Sequence, residues 1–259
     1  MAMNRTQLVT RFREARRDPA VAVLEGFHPL KHGLRFGASV EVAVSSDLER
    51  LTRLAADLAP DTADWIRRHV VPVDADTFAQ LVPVPPATGV IAIARRPPAP
   101  PEALLTEPRP SPLVVLENPS HLDNVGASIR VAAAAGASGV IVLGPQDPWH
   151  PAALRGSAGL HYALPVGRVD ALPPGCGPLL ALDPQGEPLA PGSIPDGGVL
   201  AFGSERRGLS DALRARADRI LSIPMEPGVS SLNLATATAV VLYTWRLHAR
   251  PPATTDPSR

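Results

Sequence analysis

Three stretches of this 259-residue sequence set polar side chains against apolar runs in a way that plain turns do not require. In "ENPSHLDNVGASIR", Asn124 falls near the expected start of a helix, where an Asn makes a good cap. Arg130 follows six residues later among small apolar neighbours, Ala132, Ala133, Ala134 and Ala135. A guanidinium on a helix so small must reach a phosphate, a carboxylate or solvent. In "LAFGSERRGLS", Gly203 ends a strand and Glu205 lies on the turn into a helix, a position that the helix dipole favours for an acid. In "IPMEPGVSSLNLATATAVVLY", a short apolar strand stops at Pro224, and Gly228, Ser230, Ser231 and Asn233 precede a long apolar run. Ser231 alone would serve as a helix cap. One cap does not account for two hydroxyls, an amide and a glycine together. A glycine-containing loop with several free backbone N–H and C=O groups suits the edge of an adenine, a ribose or a phosphate.

The elements that must carry these residues form two patterns. From residue 113 the strands are apolar on both faces: PLVVLEN, GVIVLG, PLLALD, GGVLAFGSE and RILSIPM. Helical stretches separate them (NVGASIRVAAAAGA, LSDALRARAD and Leu234 to about Arg250), so a parallel sheet covered on both sides is expected. Ligands of such sheets bind beyond the carboxyl ends of the strands, where all three polar stretches fall. Neither G-x-G-x-x-G nor G-x-x-x-x-G-K-[ST] is present, which excludes the ordinary nucleotide fingerprints. Before residue 97, helices and strands alternate as in a compact α/β sandwich. Between the two patterns lies "RRPPAPPEALLTEPRPSP", whose prolines remove donors and fix φ; it reads as an extended, semi-rigid linker. The expected division is therefore 1–96 for the sandwich, 97–112 for the linker, 113–250 for the parallel-sheet domain and 251–259 for a frayed tail.

Composition narrows the class. Hydrophobic residues make up 45% and charged residues 19%, as in a folded soluble chain. No apolar run approaches the ~18 residues of a membrane span, and "MAMNRTQLVTRFREARR" has no signal-type apolar core, so a cytoplasmic protein with no membrane partner is expected. Cys176 is the only cysteine, which excludes an intrachain disulfide and a cysteine zinc cluster. His28 and His32 are four apart, but no carboxylate or cysteine joins them at ligand spacing, so no metal is expected. Net charge is zero, although Arg5, Arg11, Arg13, Arg16, Arg17, Lys31 and Arg35 leave the first 35 residues basic. On charge alone, that excess reads as a solvated helix face.

Taken in order, the three stretches resemble the motifs of the SpoU-type (TrmH-like) RNA 2′-O-ribose methyltransferases of the SPOUT superfamily. Asn124, Gly126 and Arg130 match the first motif, FGSERRGLS looks like the second, and IPMEPGVSSLNLATA looks like the third and most specific. "RGSAGLHYALPV" is a weaker likeness. The N-terminal part is similar to the L30e/L7Ae-like substrate-binding domain that many members carry. The resemblance implies an α/β fold whose parallel sheet is tied in a deep trefoil knot. It implies an S-adenosyl-L-methionine pocket, with S-adenosyl-L-homocysteine as product, lined by Leu182, Gly203, Ile223, Met225 and Leu232. Arg130, Asn124, Glu205, Ser231 and Asn233 would be catalytic. Arg11, Arg13, Arg16, Arg17 and Arg35 would contact RNA, and the protein would be a homodimer through its SPOUT domain. The expected reaction is methyl transfer to a ribose 2′-OH, of ribosomal rather than transfer RNA by analogy with two-domain members. Alternatives are an RNA-binding protein of this fold without catalysis, or a SPOUT enzyme acting on an RNA base or on tRNA.

Overall fold

The computed structural model describes residues 3–98, 100–106 and 108–249; the expected tail, 251–259, lies outside them. In chain order the elements are α1 (Arg5–Ala15), β1 (Val21–Glu25), α2 (Phe27–Arg35), β2 (Val40–Ser45), α3 (Leu48–Leu58), α4 (Pro60–His69), β3 (Val71–Pro72), α5 (Ala75–Leu81) and β4 (Val90–Arg95). Then come α6 (Pro101–Thr106), β5 (Leu113–Glu117), α7 (Leu122–Ala135), β6 (Gly139–Leu143), α8 (Pro151–Gly156) and a 3-10 turn, Leu160–Tyr162. The chain continues through β7 (Val166–Val169), β8 (Leu179–Pro188), β9 (Val199–Phe202), α9 (Asp211–Arg216), β10 (Arg219–Ser222) and α10 (Leu234–Ala249). They divide into two compact units.

The first unit holds the chain up to Pro98 together with Pro148–Ala163. Its four-stranded sheet runs β1-β4-β2-β3, with β4 antiparallel to β1 and β2, and β2 parallel to β3. Alternating strand residues explain the covered faces. Val21, Val23, Ile91 and Ile93 pack with Leu8 and Phe12 of α1 and Phe78 of α5. The opposite set, Ala22, Leu24, Ala92 and Ala94, is buried as well. Local capping agrees with this design: Asn4 and Gln7 form a reciprocal capping box on α1, and Asp47 and Asp74 cap α3 and α5.

Pro148–Ala163 was expected within the parallel-sheet domain, yet it belongs to this unit. Named contacts account for this. His32 Nδ1 lies 2.7 Å from the Ala158 carbonyl oxygen, and Arg155 pairs with Glu25 at the end of β1. Trp149 packs against His161 and Tyr162, and the Arg96 guanidinium sits 5.9 Å from the Trp149 ring centre. Gly159 lies so close to Pro29 that a Cβ would meet its carbonyl oxygen at 2.5 Å.

The second unit is a six-stranded, wholly parallel sheet in the order β10-β8-β9-β5-β6-β7. Strands β5, β6 and β9 are buried along their full length, as apolar sequence on both faces predicts. Strand β7, "VGRV", is too short and too interrupted by Gly167 and Arg168 to stand out in sequence. The expected extended linker is also corrected. Pro101 is tolerated at the first helical position, where its missing N–H costs nothing, and the proline-free run after it forms α6. Leu105 of α6 is fully buried against Leu113, Ile141 and Val169. Leu105→Ala should therefore lower unfolding free energy by roughly 2–5 kcal/mol in chemical denaturation. An unchanged midpoint would mean that this stretch is only a spacer.

Candidate active site

The middle of β8 and the carboxyl ends of β9 and β10 open onto a cavity of about 510 Å³, within the roughly 300–1,000 Å³ usual for small-molecule sites. Leu182, Gly203, Ile223, Met225 and Leu232, all anticipated as cofactor contacts, line it, and Phe202 adds an aromatic wall. Ser231 and Glu205 line it too. Gly203 is required by space rather than by dihedral angle: a Cβ there would sit 2.0 Å from the Gly208 carbonyl carbon. The chain folds back immediately beyond it, with Ser204 N–H donating to Gly208 O at 3.0 Å and Gly208 N–H returning to Ser204 O at 2.9 Å. That tight turn carries Glu205.

Asn233 is the cap of α10: its Oδ1 accepts from Ala235 N at 2.9 Å and Thr236 N at 3.3 Å. Ser231, considered for that role, stands two residues too early and faces the cavity instead. With its oxygen so engaged, the Asn233 amide must turn Nδ2 outward, and it donates to Asn124 Oδ1 at 3.0 Å. Asn124 in turn presents Nδ2 to Glu205 Oε1 at 2.7 Å. Each amide has its oxygen occupied on one side, so every donor in the chain Asn233→Asn124→Glu205 points the same way. The other Glu205 oxygen accepts from Ser120 N at 2.8 Å, just ahead of α7. Asn124 is thus not a helix cap, since it sits inside the first turn of a helix that begins at Leu122. Glu205 serves the start of α7 rather than α9, which Ser210 caps. Partial burial pushes the Glu205 carboxyl up, but the hydrogen bonds from Asn124 and Ser120 outweigh it and leave its pKa below the usual carboxylate value.

A further acid supports this arrangement and escaped the sequence reading. Glu117, the last residue of β5, is 6% exposed and accepts from Ser210 N at 2.7 Å and Ser210 Oγ at 2.6 Å. It anchors the far end of the Gly203–Ser210 segment, so the turn bearing Glu205 is held at both ends. The available signal was an acid closing an otherwise apolar strand in "PLVVLE".

Arg130 is not drawn into this network. It is exposed on α7, makes no hydrogen bond or ion pair among the described residues, and does not line the cavity. Of the arginines expected at RNA, Arg11 pairs with Glu41 at 2.6 Å, Arg16 with Glu25 at 2.7 Å, and Arg35 with both oxygens of Asp61 at 2.6 and 2.7 Å. Only Arg13 and Arg17 of that set stand exposed with no side-chain partner among the described residues. Three of the five arginines expected at RNA are thus paired with carboxylates within the first unit. Among the described residues no three His, Cys, Asp or Glu side chains gather as a metal site, and no helix is long and apolar enough to cross a membrane.

Comparison with known proteins reaches both units. Residues 111–243 match the SpoU rRNA Methylase family. A 23S rRNA (uridine(2479)-2′-O)-methyltransferase of Streptomyces viridochromogenes is 34% identical over 148 residues, covering 50% of each protein, so the chain spans about half the length of that relative. An uncharacterized tRNA/rRNA methyltransferase of Mycolicibacterium vanbaalenii is 32% identical over 253 residues, covering 89% of this chain and 77% of the relative. The crystal structure of the SpoU methyltransferase AviRb from Streptomyces viridochromogenes, in complex with AdoMet, superimposes with a TM-score of 0.72 at 26% identity over 94% of this chain and 97% of that one. With a family match over half of the chain and a relative aligned along most of it, this protein belongs to the SpoU rRNA methylase family.

Proposed function

We propose that this protein transfers a methyl group from S-adenosyl-L-methionine to a ribose 2′-OH of RNA, with ribosomal RNA, the substrate named for the Streptomyces viridochromogenes relative, as its substrate class. The observation that carries this reading is the joining of Asn124, Glu205 and Asn233, one residue from each of three separate stretches, beside a cavity lined by all five anticipated cofactor residues. The lining fits an adenosine sulfonium: Leu182, Phe202, Ile223, Met225 and Leu232 offer apolar surface to a base, and Gly203 lets the backbone approach without a side chain. When bound, the cofactor supplies an electrophilic methyl group.

The chain's own residues would do the rest. Arg130, free and exposed, clamps the phosphate beside the target nucleotide through paired N–H donors. A guanidinium barely deprotonates, so the 2′-OH proton passes to that phosphate oxygen rather than to Arg130. Glu205, ionised at neutral pH, fixes Asn124, and Ser231 with the Asn124–Asn233 pair orients the ribose. The requirement for a 2′-OH distinguishes RNA from DNA.

Three finer features belong to the same proposal. The segment after β10 ties the chain in a trefoil knot; the support is topological, since β10 lies beyond β8 in the sheet while α10 packs back on α7. The first unit serves as an L30e-like RNA-binding domain, and the whole acts in the cytoplasm. The protein pairs with a second copy through α10, where Val240, Tyr243 and Leu247 leave an exposed apolar stripe at helical spacing.

Calorimetric titration of S-adenosyl-L-methionine, followed by mass spectrometry of nuclease digests of treated ribosomal RNA, tests the activity; no cofactor binding and no alkali-resistant ribose methylation would sink it. Arg130→Ala should keep the cofactor affinity and lower transfer by roughly 10²–10⁴-fold, the range of positioned proton transfer. Asn233→Asp should keep the α10 cap, because a carboxylate oxygen still accepts from Ala235 N and Thr236 N. It removes the donor to Asn124, so melting temperature should stay near wild type while methylation falls. Equal loss of both would show that the amide is only a cap. The pH sign follows from the depressed Glu205 pKa: its stabilising contribution is full above the unfolded carboxyl pKa of ~4.3 and is lost as pH falls through the lower folded value. Wild type and Glu205→Gln should therefore differ most in denaturant midpoint at neutral pH and converge in acid.

A further inference from the structure

We propose that a second cavity, formed wholly within the first unit, binds one nucleotide of single-stranded RNA, with the phosphate at Arg155 and His150 and the base against Pro83–Pro86. This rests on the reading of the substrate as RNA. The cavity measures about 510 Å³ and lies at the end of β1. Its floor is Glu25, whose side chain is 5% exposed and whose two oxygens each hold a guanidinium, Arg16 at 2.7 Å and Arg155 at the other oxygen. Arg16 also donates to Leu81 O at 3.2 Å and is committed to the fold. Arg155 is different: its side chain is 50% exposed and has no other partner among the described residues, so its remaining N–H donors are unspent.

The carboxylate offsets one of the two guanidiniums, and the cavity keeps a net positive charge. Glu25 also holds Arg155 in place before any ligand arrives, which lowers the ordering cost of binding an anion. His150 adds a directed donor. Its Nδ1 accepts from Ala152 N at 3.1 Å, so the ring hydrogen lies on Nε2. The lining also includes the run Pro83, Val84, Pro85 and Pro86. Three of these four residues are prolines and carry no N–H, so the run presents mostly apolar faces, and Val84 is 78% exposed and uncovered by the chain. A cation and apolar proline faces lining one cavity match a phosphate joined to a planar base, because an unstacked base packs against apolar side chains and guanidinium planes. Neither His150 nor Arg155 stands out in sequence as an RNA contact. They reach the cavity because Pro148–Ala163 folds with the first unit.

The test is fluorescence anisotropy of a short labelled oligouridylate across a salt series, with wild type, Arg155→Ala and Val84→Asp. Arg155→Ala should raise Kd ~10-fold or more at moderate salt and reduce the slope of log K against log salt by about 0.7, the share of one single-strand phosphate. Val84→Asp alters only an exposed side chain and should weaken binding comparably with an unchanged melting temperature, which covers the case of Arg155→Ala failing to fold. Uridine monophosphate should compete where inorganic phosphate at equal concentration does not. Wild-type Kd and slope in both variants would overturn the site while leaving the RNA reading intact. No RNA binding by the wild type would overturn that reading and the site with it.

Discussion

A helix terminus sets the direction of the candidate active site. The unpaired N–H groups at the start of α10 need an acceptor, and Asn233 supplies its amide oxygen. Once that oxygen is taken, the orientation of Asn233, then of Asn124, and finally the charge state suited to Glu205 all follow without freedom to flip. Three segments far apart in sequence are thereby locked by a chain of hydrogen bonds whose polarity is decided at one end. The network is preorganised in the sense that matters for catalysis: its dipoles need not reorient when a substrate arrives.

The parallel sheet makes that convergence possible. Strands β5 and β9 are hydrogen-bonded neighbours with Leu113 opposite Val199 and Leu116 opposite Phe202, so Glu117 and Gly203 leave the sheet side by side. The turn after Gly203 then has little choice of course. Contact with Gly208 closes it at one end and the Glu117 clamp on Ser210 closes it at the other. A buried carboxylate is costly unless it is hydrogen-bonded, and Ser210 supplies a bond to each oxygen of Glu117.

Most elements were legible from periodicity and turn chemistry, because buried parallel strands and amphipathic helices leave strong patterns. The cavity lining was legible through motif order. Less visible were facts that depend on tertiary partners. Asn124 looked like a cap because it lies near a helix start, and only the arrival of Glu205 and Asn233 gives it another task. Arg11, Arg16 and Arg35 are RNA contacts only by the family resemblance, and their pairing with Glu41, Glu25 and Asp61 was not legible because no local sequence rule joins those partners. The helix in the proline-rich stretch was hidden by the prolines around it, although a single proline at its first position is compatible with helix.

The insertion of Pro148–Ala163 into the first unit bears on how the chain is made. A ribosome delivers residues in order at ~5–20 per second, so strands β1 to β4 emerge well before the segment that supplies Trp149, Leu154 and His161 to their unit. Until then His32 lacks the Ala158 carbonyl and Glu25 lacks Arg155, and the N-terminal portion is an unfinished body awaiting a late piece. The protein is therefore not two beads on a string that recombination could exchange at the proline tract: a cut there would separate the first unit from its own missing part.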